Sequence, residues 1–199
     1  EENIMPLGAN KAAIMGVAGV STGDVVLLHD TDYSNASSAE ITSGITSTYG
    51  EYIFKFYNVN PATDGTKFRV QFNAAAGSGF NETITSTYFR AWHYENDSEA
   101  RIQYLADDDQ AQGTAGQDIT DDQGNDADGC SAGTLHLFNP SSTTYVKHFY
   151  GYSVVDTASA YQTNVHFAGY INTTTAIDEV EFKMSSGNFD GTIKMWGVK

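Results

Sequence analysis

Strict alternation of apolar and polar residues is clearest in residues 66–72, which read Thr66-Lys67-Phe68-Arg69-Val70-Gln71-Phe72. A period of two places the apolar side chains on one face of a β-strand and the polar side chains on the other. Residues 51–57 repeat the design, with three aromatic rings on the apolar face and Glu51 and Lys55 on the other. The pattern predicts strands that bury one face in a core.

The same periodicity recurs along most of the chain. Further strand candidates are residues 25–28, 83–94, 101–105, 134–138, 146–152, 164–171, 180–184 and 193–196. Turn signals rich in Gly, Pro, Asn and Ser separate them, and no segment of ten or more residues shows a helical period. About ten strands in a chain of this length suit two packed sheets. We predict an all-β, two-sheet antiparallel sandwich, and a jelly roll in particular.

The first 23 residues differ in composition from the rest of the chain. They are small, apolar and rich in glycine, and they supply few large side chains for a core of their own. The sequence therefore predicts two parts, an extended N-terminal arm over residues 1–23 and a β-sandwich domain over residues 24–199. This segment, as an arm or as a short helix, is expected to dock on another subunit through Ile14, Met15 and Val17.

Charge and composition exclude several classes of protein. The chain has 25 Asp+Glu against 10 Lys+Arg, a formal net charge of −15, so it lacks the basic patch of a nucleic-acid binder and is repelled by anionic membranes. No run approaches the ~20 apolar residues that span a bilayer. Because 40% of the residues are hydrophobic, a core is expected and global disorder is excluded. The single cysteine, Cys130, excludes a disulfide-stapled mini-domain.

The acidic segment, residues 95–128, contains eleven carboxylates and one arginine. Asp126 and Asp128, followed by Gly129, suggest oxygen ligands for Ca²⁺, although the spacing of an EF-hand is absent. A divalent ion or a basic neighbour would relieve the mutual repulsion of these carboxylates. The other interpretation, a solvated polar loop, is favoured. No further cofactor is expected.

Two other groups of side chains allow a functional and a structural interpretation. His136, His148 and His166 fall in successive strand candidates, and three histidines on one sheet face would form a metal site; half-buried structural histidines are the favoured alternative. The aromatic stretches 88–94, with Tyr88, Trp92 and Tyr94, and 149–152 are dense enough to line a sugar-binding groove, but burial in the core is favoured for such rings.

Motifs that would indicate an enzyme are missing from the sequence. The acidic residues in the strand candidates alternate outward without forming a recognisable pair for glycoside hydrolysis. A nucleophile elbow in its strand–turn–helix context and a phosphate-binding loop are both absent. The sequence therefore predicts a protein that is not an enzyme.

Three segments, residues 45–87, 133–149 and 177–199, together resemble small virion structural proteins of marine tailed phages, including cyanophages. In that group a β-sandwich body often finishes with a strand of the form G-x-I-K followed by an aromatic or aliphatic residue and glycine, as in Gly191-Thr192-Ile193-Lys194 and the residues after it. The resemblance covers most of residues 24–199. It implies a location and a class of protein, and it carries no active site.

The resemblance implies a non-enzymatic structural protein on the virion surface, either a capsid decoration protein or a small tail appendage. Its partners would be identical subunits and other virion proteins. The competing expectation is a glycan- or receptor-binding module, on a tail and directed at a host-surface glycan, or secreted from a cell.

The last strand candidate bears on the oligomeric state. It has large apolar residues on both alternating faces, Ile193 and Met195 against Trp196 and Val198. One face must serve the core, and tryptophan is favoured at the centres of interfaces. In the virion setting the sequence predicts a homo-oligomer, a trimer, with Trp196 at or near the subunit contact; the alternative is that loops of the same chain cover Trp196.

Overall fold

A computed structural model describes residues 24–199, which form thirteen β-strands and no α-helix. The predicted contacts of Ile14, Met15 and Val17 lie outside the described residues. Within residues 24–199 there is no helix of the length and apolarity needed to cross a bilayer. The strands are β1 (Val25–Ala36), β2 (Ala39–Ile41), β3 (Glu51–Pro61), β4 (Phe68–Ala74), β5 (Ile84–Tyr94), β6 (Ala100–Tyr104), β7 (Ala111–Gly113), β8 (Gln117–Asp118), β9 (Ser131–Phe138), β10 (Lys147–Asp156), β11 (Tyr161–Ile171), β12 (Ile177–Met184) and β13 (Phe189–Val198).

The strands form two antiparallel sheets that pack against each other. The large sheet has nine strands in the order β1-β13-β3-β9-β10-β11-β5-β6, with β7 paired to β5. The small sheet has four strands in the order β2-β12-β4-β8. The predicted all-β, two-sheet antiparallel sandwich is thus confirmed. The jelly roll is not confirmed, because nine and four strands divide the chain far more unequally than the eight strands of that fold.

Phenylalanine rings fill the centre of the core between the sheets. Phe54 of β3 lies 5.6 Å from Phe182 of β12, and Phe68 of β4 lies 5.8 Å from the same ring, measured between ring centres. All three side chains are fully buried. Their positions follow from the alternation in the sequence, which sends every second residue of these strands into the core.

One inward position on each of β9, β10 and β11 is a glycine, and a phenylalanine ring of a neighbouring strand covers each of the three. Gly133, Gly151 and Gly169 lie opposite Phe56, Phe167 and Phe149 in the strand register. A Cβ atom at any of the three would lie 2.9 Å or less from the covering ring. These glycines leave the space in which the rings lie flat on the sheet.

The small sheet covers only part of the large sheet, and a polar stretch completes the second layer. This covering segment, residues 105–123, lies over β5, β10 and β11. The Ser153 hydroxyl donates to the Ile119 carbonyl over 2.7 Å, the Thr163 hydroxyl donates to Asp121 over 3.1 Å, and the Ser86 hydroxyl accepts from the Gln110 N–H over 2.8 Å. The inward residues of the three strands are hydroxyls here because a polar segment packs on them.

Candidate contact surface

The large sheet has a second face, turned away from the core, on which aromatic side chains are exposed. We call it the outer face and define it as the outward residues of β3, β9, β10, β11 and β5. The exposed fractions of Tyr150, Tyr152, Val154 and Phe89 are 47, 48, 42 and 42%. Isolated exposed apolar residues are ordinary, whereas a contiguous group on one flat face marks a contact surface.

Direct register across four strands places aromatic rings side by side. Tyr152 of β10 is opposite His166 of β11, which is opposite Phe89 of β5, which is opposite Tyr104 of β6. We call these four residues the aromatic row. Beside it, His136 of β9 is opposite Tyr150.

The rings of the outer face stand on edge. Phe89 and His166 are stacked with 5.0 Å between ring centres and 10° between planes, and His136 and Tyr150 are stacked at 4.7 Å and 5°. Their flat faces therefore contact each other across strands. Ring edges and polar tips are what the outer face presents to a partner.

Carboxylates are almost absent from the outer face, although the chain as a whole is strongly acidic. Among the outward residues of its five strands, only Glu51 and Asp156 are acidic, and both lie at strand ends. The Glu51 carboxylate lies 2.6 Å from His136 Nδ1. Lys55 and the histidines are the basic residues of the same face. The outer face is therefore much less acidic than the molecule as a whole.

Trp196 lies at the flank of the outer face. It is opposite Leu27 and Ile53 in the register, and Lys55 Nζ lies 5.6 Å from the centre of its ring. Ile193 and Met195 are fully buried on the other side of the strand, as the alternation predicts. Trp196 is half-buried, so part of the residue remains accessible. Its part in a subunit contact stays a prediction.

The three histidines occupy one sheet face, but they do not converge. His136, His148 and His166 lie on the adjacent strands β9, β10 and β11, and each is directly opposite a tyrosine, respectively Tyr150, Tyr170 and Tyr152. Rings intervene between the imidazoles, and no three His, Cys, Asp or Glu side chains in residues 24–199 are grouped as metal ligands. The histidines are therefore part of the stacked surface.

The residues predicted to line a sugar-binding groove are split between two environments. Tyr88 is fully buried in the core, so its side chain does not line a surface groove. Trp92 and Tyr94 are half-buried and pack with Tyr161, with ring centres 5.2–5.4 Å apart. Arg101 lies 6.0 Å above the Trp92 ring. The ring faces of this cluster are already occupied, as they are in the aromatic row.

The acidic segment is not simply a solvated loop, because three of its carboxylates are buried against bases from the strands. Asp108, Asp118 and Asp121 are 6, 6 and 1% exposed. They pair with Lys67, Arg69 and Arg90 respectively. The chain itself thus supplies basic neighbours for this segment, since three of its ten cations pair with three of the eleven carboxylates.

Asp126 and Asp128, the predicted calcium ligands, are exposed side chains beside a tight turn. The Gly129 N–H donates to the Asp126 carbonyl over 3.1 Å, and the Asn60 amide donates to the same oxygen over 2.8 Å. In the part of the chain that the structure describes, no third acidic, histidine or cysteine side chain completes a set with them. The geometry gives no support to a calcium site at this turn.

Burial raises the pKa of Asp118, and the hydrogen bond and charge of Arg69 offset this only in part. Because the pKa of Asp118 is higher in the folded state than in the unfolded state, protonation of this carboxyl stabilises the fold. This contribution to the unfolding free energy is complete below the ordinary carboxyl pKa and is lost as the pH rises through the folded-state pKa. We expect the unfolding free energy of Asp118→Asn, relative to the wild type, to rise between pH 4 and pH 7. Urea titrations of both proteins at each pH measure it.

Arg69→Gln provides the comparison for this pH dependence. Without the cation that lowers the pKa of Asp118, the difference between the aspartate and asparagine forms should depend more steeply on pH. A difference that falls from pH 4 to pH 7, or that does not change, would contradict the assigned cause.

Sequence reasoning grouped Tyr150 and Tyr152 with the rings of residues 88–94 as a possible sugar-binding groove, but it did not identify the outer face as a protein contact surface. The signal was nevertheless present in residues 147–154, where inward Phe149 and Ser153 alternate with outward Tyr150, Tyr152 and Val154. A strand with one solvated face normally carries polar residues at its outward positions. Large apolar and aromatic residues at those positions indicate a face that meets a partner.

Comparison of the chain with protein-family models, with curated proteins and with solved structures finds no match.

Proposed function

We propose that this protein is a non-enzymatic structural protein on the surface of a tailed-phage virion, either a capsid decoration protein or a small tail appendage. The single observation that supports an assembly role is the outer face, an aromatic and carboxylate-poor surface on a chain of net charge −15. The virion setting itself rests on the resemblance of residues 45–87, 133–149 and 177–199 to virion structural proteins.

The orientation of the rings favours assembly over sugar binding. A sugar ring stacks on an exposed aromatic face, and Phe89, His166, His136 and Tyr150 each already have one face covered by a stacked ring of the neighbouring strand. A protein surface, in contrast, meets ring edges well, because its own side chains fit between the rows. The outer face therefore suits a flat protein partner, and the N-terminal arm and the sheet edges supply further contacts to identical subunits and other virion proteins.

The test is the copy number of the protein in purified particles of a phage that encodes it. Quantitative mass spectrometry should find it in a fixed ratio to the major capsid or tail protein, at a multiple set by particle symmetry. Trace amounts, or absence from the particles, would contradict a virion role. Recovery from the culture medium together with binding on a glycan array would instead favour the secreted or tail-borne glycan-binding module.

A further inference from the structure

We propose that the outer face is the contact surface for a second copy of this chain, so that two sandwiches pack large sheet to large sheet. The inference rests on the proposed assembly role and names the partner of that surface. The residues at its centre are Tyr150, Tyr152, Val154, His166 and Phe89.

The size of the outer face fits a stable dimer. Five strands spaced ~4.8 Å apart, with about eight residues each, cover roughly 24 Å by 27 Å, or about 600 Å² in projection. Standing side chains make the accessible area larger than the projection. Each partner in a standard protein interface buries about 600–1,000 Å². The outer face by itself is therefore large enough.

The shape of the outer face also fits a second sheet. Antiparallel sheets pack face to face about 10 Å apart when side chains of one sheet fill spaces on the other. Two shallow recesses flank the central rings. One, of about 270 Å³, lies beside Tyr152 and Val154, and the other, of about 310 Å³, is lined by Thr87, His148 and Ala168. Under two-fold symmetry the rings of each copy can insert into the recesses of the other copy.

The distribution of carboxylates over the surface favours this face for self-association. Two copies that each carry a net charge of −15 repel each other, and the repulsion is strongest where carboxylates meet. Between its acidic ends, Glu51 and Asp156, the outer face presents Lys55, histidines and rings. Two copies can approach here without placing one carboxylate against another at the centre of the contact. Added salt should strengthen the association, because it screens the remaining repulsion.

Sedimentation equilibrium of the full chain at micromolar concentration tests the inference. The wild type should sediment as a dimer or higher oligomer, and Tyr152→Glu should raise the dissociation constant at least about 30-fold, because it buries a carboxylate at the centre of the contact. Tyr145→Glu is the matched control. Tyr145 is 70% exposed and lies outside the outer face, so this variant should sediment with the same oligomer mass as the wild type. Circular dichroism confirms folding, and Val154→Glu replaces Tyr152→Glu if that variant does not fold.

Equal masses for the wild type and for the folded outer-face variant would overturn the inference. So would a monomeric wild type that binds a polysaccharide and loses that binding in Tyr152→Glu. Failure of the virion role is a separate result: a protein absent from particles that still dimerises through the outer face leaves this inference standing. If the protein is present in particles but its Tyr152→Glu variant associates as strongly as the wild type, this inference fails and the virion role stands.

Discussion

Arg90→Met should lower the free energy of unfolding by about 3–5 kcal/mol, the usual cost of removing one partner from a buried ion pair. Asp121 is 1% exposed and accepts hydrogen bonds from the Arg90 guanidinium and from the Thr163 hydroxyl. Without Arg90 the carboxylate keeps only the hydroxyl, in a place that water does not reach. Methionine retains the packing of the arginine stem, so the loss reports the guanidinium group, which also donates to the Tyr161 hydroxyl over 3.2 Å. Urea denaturation at neutral pH measures it.

A double variant and an exposed pair serve as controls for this prediction. Arg90→Met combined with Asp121→Asn leaves no buried charge at this site, so it should recover at least half of the stability lost in the single variant. Arg101→Met removes the partner of Glu99 on the exposed strand β6 and should leave the midpoint almost unchanged, because exposed pairs contribute little. Equal losses in the single and double variants would show that the ion pair is not the cause.

The predictable part of the fold is the part that alternation controls. Phe68, Val70 and Phe72 are buried as the period in residues 66–72 requires. The pattern assigned only one face of this strand to a core, yet Gln71 on the other face is 2% exposed, and its amide donates to carbonyls of Thr114 and Ala115 over 2.9 and 3.0 Å. A local period of two indicates that one face of a strand is buried in a core. It carries no information about distant segments that fold over the other face.

The ion pairs were beyond sequence reasoning for the same reason. Lys67 and Asp108 are 41 positions apart, and Arg90 and Asp121 are 31 positions apart. Composition indicates that the mutual repulsion of eleven clustered carboxylates must be reduced by positive charge. Whether a metal ion, a partner or the chain's own basic residues supply that charge depends on where the sheets place β4 and β5. The histidines show the complementary case. The sequence placed them in successive strand candidates, whereas the strand register that puts a tyrosine opposite each one was not visible in it.

Residues outside a clear period were the least predictable part. β1 extends over twelve residues, Val25–Ala36, whereas the sequence indicated a strand only over residues 25–28. Asp30 and Asp32 obscure the apolar signal, because this edge strand pairs on one side only and tolerates charge: Asp30 binds Lys194 over 3.0 Å, and Asp32 accepts from the Thr192 hydroxyl over 2.6 Å.

Gly151→Ala should destabilise the protein by about 3 kcal/mol, because a methyl group at this position has no space. An added Cβ would lie 2.3 Å from the Thr134 carbonyl oxygen and 2.4 Å from the Phe167 ring. The backbone oxygen belongs to the adjacent strand β9 and cannot withdraw without breaking the ladder between β9 and β10. The ring must therefore leave its place in the core, or the two strands must separate. Thermal and urea unfolding measure the loss.

Gly50→Ala is the matched control for the steric argument. No atom lies within 4 Å of the Cβ position at Gly50, so the same chemical change adds no clash there. Its expected effect is neutral or slightly stabilising, because alanine restricts the unfolded chain more than glycine does. Gly151→Ala combined with Phe167→Leu, which shortens the obstructing ring, should recover part of the loss. If Gly50→Ala and Gly151→Ala change stability equally, the ring that covers Gly151 does not set the requirement for glycine, and the packing argument for all three inward glycines fails with it.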